Sequence, residues 1–141
     1  MDLYIEKLEP FYERGKPFST LILRALSGIA LMAHGYPKIL DMQANIELVE
    51  KLGFYPGAVW SPALSVSEFG AGLLLLLGLL TRLAASAGFV ILSVVAYYHW
   101  IFVGEGYAGA EKAIIWASIC LYFVFHGASR YSLDHALGRE L

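Results

Sequence analysis

A chain of 141 residues that is 58% hydrophobic and only 16% charged is too apolar for a water-soluble domain, whose composition centres near ~45–50% apolar and ~25% charged. A formal net charge of −2, with no run of Lys and Arg interleaved with aromatics, leaves no basic field for nucleic acid. One cysteine, Cys120, leaves no intramolecular disulfide, no paired-thiol redox motif and no cysteine-rich metal centre within one chain.

The N-terminal stretch "MDLYIEKLEPFYERGKPF" is acidic, is interrupted by Pro10 and Pro17, and lacks the basic region and short apolar core of a cleaved signal peptide. The first apolar helix is therefore expected to remain as a membrane anchor. Four apolar segments predict transmembrane helices over about residues 18–38, 60–80, 83–103 and 111–128, each near the ~20 residues needed to cross the hydrocarbon. Unpaired backbone groups are costly in lipid, so these segments must be helical.

Between the first two lies "DMQANIELVEKLGFYPG". Met42, Ile46, Val49 and Leu52 form one stripe, Asp41 suits an N-cap and Gly53 a stop, which predicts a short amphipathic surface helix over about residues 41–53. The second and third segments join through Thr81 and Arg82 alone and must be antiparallel neighbours; the third and fourth join through "GEGYAG". The expected fold is an all-α membrane protein, a four-transmembrane-helix bundle with one surface helix, organised as a single domain over residues 1–141. Lys7, Arg14, Lys16, Arg82, Arg130 and Arg139 fall on one side of this topology, and Lys38, Lys51 and Lys112 on the other. The excess favours both termini in the cytoplasm.

Charged side chains at membrane depth cost at least ~2.5–3.5 kcal/mol each, so their positions are informative. On the first helix Arg24, His34 and Lys38 share a sector with Gly28 and Gly35, opposite Ile22, Ala25, Leu26, Ile29 and Ala33. On the second, Ser61, Ser65, Glu68 and Gly72 share a face; on the third, His99 lines up with Ala85, Gly88, Leu92 and Ala96; on the fourth, Glu111, Lys112, Ser118, Tyr122 and His126 fall on one side. Helical rise puts His34, Lys38, His99 and Glu111 near the outer boundary and Arg24 and Glu68 near the middle. Arg24 and Glu68 are the candidate structural ion pair, and His34, Lys38, Glu68, His99 and Glu111 the candidate ligand-binding set. Two readings of that set stand side by side: interfacial side chains in contact with water, or a site for proton-coupled work such as hydrogen bonding a quinone carbonyl. The spacing of His34 and His99 across helices is unspecific for a metal, and none is expected. Tyr97, Tyr98, Trp100 and Phe102 suit an interfacial belt.

In order and spacing, "LRALSGIALMAHGYPKI", "LGFYPGAVWSPALSVSEFGAGLLLLLGLLTRLAA", a histidine late in the third helix, a Glu opening the fourth and "HGASRYSLD" resemble the DoxX family. The resemblance covers about residues 20 to 135. It implies a compact four-helix protein of the bacterial inner membrane with both termini inside. It also places Arg24, His34, Lys38, Glu68, Arg82, His99, Glu111 and Arg130 at the family's recurring polar positions. Family members include small membrane subunits of thiosulfate:quinone oxidoreductases, and the wider superfamily is similar to eukaryotic cargo receptors. One departure is His126 with Ala128 and Ser129, where relatives often carry a plainer apolar residue and Gly-Pro-Gly.

The functional expectation is a redox-associated subunit that binds a quinone or similar small molecule, with no covalent cofactor, in an outer-leaflet polar pocket on behalf of a partner redox protein. Within it, His34 and His99 would bond the carbonyls and Glu111 would orient a histidine. The alternative is a non-enzymatic scaffold or a lipid or cargo binder. Lipid is a partner in either case, and a homo-oligomer is compatible with both.

Overall fold

The computed structural model describes the chain from residue 2 to residue 138, and its side chains from residue 8. Six helices follow one another, with no strand among the described residues: α1 (Asp2–Leu40), α2 (Met42–Lys51), α3 (Gly57–Leu77), α4 (Thr81–Tyr97), α5 (Gly106–His126) and the short α6 (Leu133–Ala136). A π turn, Tyr98–Phe102, extends α4. Four stretches are long and apolar enough to cross a membrane: Leu8–Leu40, Gly57–Leu77, Thr81–Phe102 and Gly106–His126.

The distribution of side chains is that of a protein solvated by lipid. Large apolar residues such as Ile22, Leu26, Val66, Leu83, Val90, Ile101 and Phe125 face outward. The interior is built largely from small or polar residues, among them Ala71, Ala84, Ala85, Ala113, Ala117, Ser61, Ser65 and Thr81. Lipid offers no hydrophobic drive for helix association, so close packing and interhelical hydrogen bonds supply it.

The helices pack in the order α1 on α3, α3 on α4 and α4 on α5, while α1 and α5 meet over only a few residues and leave a seam. The α1–α3 contact is the tightest. A Cβ added to Gly28 would lie 2.5 Å from the Gly72 carbonyl oxygen, and one added to Gly72 would lie 2.6 Å from that of Gly28. The two glycines let the backbones touch. Leu31, Leu75, Ala85, Leu92, Cys120 and Phe123 fill the centre, with Cys120 fully buried as a small apolar residue.

Several boundaries differ from the sequence expectation; α5, for one, begins at Gly106, inside the stretch read as a turn, rather than at about residue 111. The first helix begins at Asp2 and continues through Pro10 and Pro17, and its residues 8–19 are almost all exposed, with burial starting at Thr20. This part stands off the bundle, so hydropathy does not register it. The α3–α4 turn falls at 78–80, because Gly78 at φ +67° ends α3 in the left-handed region. Asp41 caps α2 as expected, its carboxylate accepting the Ala44 N–H at 3.2 Å.

One end of the bundle carries α2 and the π turn and is called here the α2 face. The other carries the α3–α4 turn and the C-terminal segment and is called the tail face. The side chain of Lys7 and all of Arg139, both counted in the charge asymmetry, lie outside the described residues.

Candidate functional site

The tail face is closed by side chains that bond backbone across the whole length of the chain. Arg24 is 1% exposed, and its guanidinium donates to the carbonyls of Ala128 and Tyr131. Asp134 accepts the N–H groups of Leu80 at 2.8 Å and Thr81 at 2.9 Å, capping α4 from a segment more than fifty residues away. Leu80 takes φ +49°, a conformation costly for a branched side chain. The carboxylate on its own N–H helps to hold it there. Arg82 donates to the carbonyls of Val124 and Phe125, each at 3.1 Å, satisfying the last turn of α5. These contacts are structural.

Arg24 and Glu68 therefore do not pair. On the antiparallel α3, Arg24 is level with Gly78, where an added Cβ would lie 2.7 Å from the guanidinium carbon. Glu68 lies ten residues away, roughly 15 Å up the helix. Arg24 thus belongs to the tail face and not to mid-depth. Glu68 is bound instead by Lys38, Nζ to Oε2 2.5 Å, with the lysine side chain 32% and the glutamate 4% exposed.

Beside that pair, α2 docks on α3 through Asn45. Its amide nitrogen donates to Ser61 Oγ and Ser65 Oγ, each at 2.7 Å. Ser65 in turn donates to the Ser61 carbonyl. Sequence reasoning missed Asn45, although it lies on the same helical stripe as Met42, Ile46 and Val49. A polar residue adds nothing to a hydropathy stripe, and the hydroxyls of α3 that take its amide are brought to it only by the tertiary structure.

The other candidates separate. His34 is exposed on α1 at the α1–α5 seam, across from Trp116 and Cys120. It sat at the edge of the polar sector, and the next residue, Gly35, is the one that meets Phe69 of α3. His99 leaves the buried line of Ala85, Gly88 and Leu92 because the π turn shifts the register. It pairs with Glu105, Nδ1 to Oε2 2.7 Å, another residue that sequence reasoning missed; the signal lay in "GEGYAG", read only as a turn. A carboxylate only accepts, so the pairing puts the proton on Nδ1 and leaves Nε2 open. Glu111 is exposed at the start of α5. His126 is exposed at the other end and stacks on Tyr122, ring centroids 4.6 Å apart. The five candidate ligand-binding residues thus fall at four places and do not line one pocket.

A cavity of about 510 Å³ forms a lateral groove between α4 and α5. Phe89, Ala96, Ile114, Ala117 and Leu121 form its apolar length, and Tyr97 and Trp100 stand where it reaches the α2 face. Ser93 and Ser118 also line it, but their hydroxyls are returned to the Phe89 and Ile114 carbonyls of their own helices.

Comparison with known proteins agrees with this architecture. The DoxX family model matches residues 19–103, more than half of the chain. The chain belongs to the DoxX family. An uncharacterized protein of Haemophilus influenzae is 33% identical to this DoxX protein over 135 residues, 87% of the chain and 93% of the relative. The inner membrane protein YqjF of Escherichia coli is 29% identical over 122 residues, 85% of the chain and 92% of the relative. No solved structure matches. The matched region of this DoxX protein runs from α1 to the π turn. It thus contains Arg24, His34, Lys38, Glu68 and His99, while the partners of Arg24 at Ala128 and Tyr131 lie beyond it.

Proposed function

We propose that this DoxX membrane protein is a redox-associated subunit that holds a quinone, or a similar ring-bearing amphiphile, for a partner oxidoreductase at the membrane. The observation that carries the reading is the α4–α5 groove. It is open to the hydrocarbon along its length, apolar where a lipid-soluble tail would lie, and aromatic where a ring would sit. The Tyr97 hydroxyl and the Trp100 indole N–H are neutral donors suited to ring carbonyls, and ligand sites of this kind combine an apolar lining with a few placed polar groups. One turn of chain away, the His99–Glu105 pair offers an imidazole whose orientation is fixed by a carboxylate. If the termini are cytoplasmic, as the Lys and Arg distribution favours, the ring end faces the outer leaflet. In this reading electron transfer itself belongs to the partner oxidoreductase.

The test is quinone binding to purified full-length protein, read by quenching of tryptophan fluorescence and by extraction of co-purified quinone. Ser118→Phe and Ala96→Leu fill the groove from its two walls and are expected to lower affinity at least ~10-fold, with Trp100→Phe removing most of the quench. If neither filling variant alters binding, the groove is not the site. If native mass spectrometry finds only phospholipid there, the lipid-binding scaffold reading replaces this one.

A further inference from the structure

His34 is an ionisable residue exposed toward lipid at the middle of the bundle. Ten residues separate it from Arg24 at the tail face, and ten separate its neighbour Trp116 from His126 at the end of α5. Both spacings give roughly 15 Å, half of the ~30 Å hydrocarbon layer. The polar side chains that share its face of α1 are engaged elsewhere, Ser27 with the Leu23 carbonyl and Lys38 with Glu68. The crevice between Ala30 and His34 on one side and Trp116 and Cys120 on the other has room of about 10 Å³, enough for at most one water. A ring or chain cannot enter it. Whatever satisfies the imidazole must lie against the outer surface of α1 inside the membrane, where an unpartnered polar group is costly and marks a functional position.

We infer that His34 is the centre of an interface between two copies of this chain, formed by the outward face of α1. A neutral imidazole has one donor and one acceptor nitrogen, so two of them satisfy each other. Two copies inserted with the same orientation and related by a two-fold axis along the membrane normal bring their His34 side chains to the same depth without further adjustment. A foreign helix would need a hydrogen-bonding group placed at that depth; a second copy supplies one by symmetry. Ala30 and Ala33 flank His34 on this face, with Leu26 and Ile29 exposed one turn below. Small residues beside a polar one let two helix backbones approach closely in lipid. The interface stands apart from the α4–α5 groove and does not depend on the quinone reading.

The experiment is oxidative cross-linking of full-length protein in native membranes, in a Cys120→Ser background, with single cysteines at Ala30→Cys, Ala33→Cys and, as a control on α4, Val90→Cys. The α1 cysteines are expected to give covalent dimer at least ~5-fold above the control. Adding His34→Leu should reduce the yield at least ~3-fold, while His34→Asn, whose amide keeps a donor and an acceptor, should retain it. Thermal unfolding of each variant separates loss of the interface from loss of the fold. The inference is overturned if the α1 cysteines cross-link no better than Val90→Cys. It is equally overturned if folded His34→Leu cross-links like the parent, or if native mass spectrometry finds a monomer carrying a small molecule that His34→Leu loses.

Discussion

Lys38 on α1 reaches across to Glu68 on α3 with 2.5 Å between Nζ and Oε2, and the glutamate it neutralises is 4% exposed. The pair fixes the register of the two helices at the point where their glycine contact ends. Removing one partner leaves a buried charge, for which breaking a buried pair costs about 3–5 kcal/mol. Lys38 is one-third exposed, so Lys38→Met is expected near the lower end, about 3 kcal/mol. The double variant Lys38→Met with Glu68→Leu should recover much of that loss. Thermal unfolding of the four proteins in detergent checks the cycle, and additive losses would show that the two charges are not coupled.

At Gly28 and Gly72 the α1 and α3 backbones are in contact, and any side chain meets a carbonyl at 2.5–2.6 Å. Gly28→Ala and Gly72→Ala should each destabilise by about 1–3 kcal/mol through overpacking. Gly70→Ala, on the same helix with nothing within 4 Å of the added carbon, should be neutral or slightly stabilising. Equal melting temperatures for all three would remove the close-approach argument.

The tail face predicts that the C-terminal segment is integral to the fold. Asp134→Ala strips the acceptor from the Leu80 and Thr81 N–H groups, a capping loss of about 1–2 kcal/mol. Arg24→Leu leaves the Ala128 and Tyr131 carbonyls without their donor, at about 1–3 kcal/mol for the buried Ala128 acceptor. Both variants should expose the segment after Gly127 to limited proteolysis. A cleavage pattern like that of the parent would contradict the assignment.

His99 is held by Glu105 through Nδ1. Nitrogen-15 NMR at alkaline pH should therefore show His99 as the Nδ1–H tautomer, and Glu105→Ala should move it toward Nε2–H, while Glu111→Ala leaves it unchanged. A shift with Glu111→Ala instead would restore the carboxylate assignment made from sequence.

Topology is tested by single cysteines in the Cys120→Ser background. Lys51→Cys, at the end of α2 and exposed, should react with a membrane-impermeant maleimide added to intact cells. Leu137→Cys, beyond α6 and 64% exposed, should react only after lysis. The reverse pattern would invert the orientation drawn from the Lys and Arg count.

Composition and periodicity were enough to determine the four membrane helices, the surface helix with its Asp41 cap, and the glycine-lined face of α1. Each of these follows from local rules: the length of an apolar run, a 3.6-residue repeat, the φ preference of one residue. The pairings did not follow. Arg24 and Glu68 are both polar, inward-facing and on adjacent helices, yet they stand roughly 15 Å apart in level. The carbonyls that take Arg24 come from the far end of the chain. Relative depth depends on where each helix stops, and that was set by Gly78 and by Asp134 at a distance. His34 and His99 left their expected faces for similar reasons, one because its neighbour Gly35 took the close contact and the other because a π turn shifted the register. The sequence by itself thus determined which segments enter the membrane and which side chains are too polar to be there by chance; only the tertiary structure decided which of those side chains satisfy one another, because hydrogen-bonded pairing is a matter of ångströms across helices and carries no periodic signal along the chain.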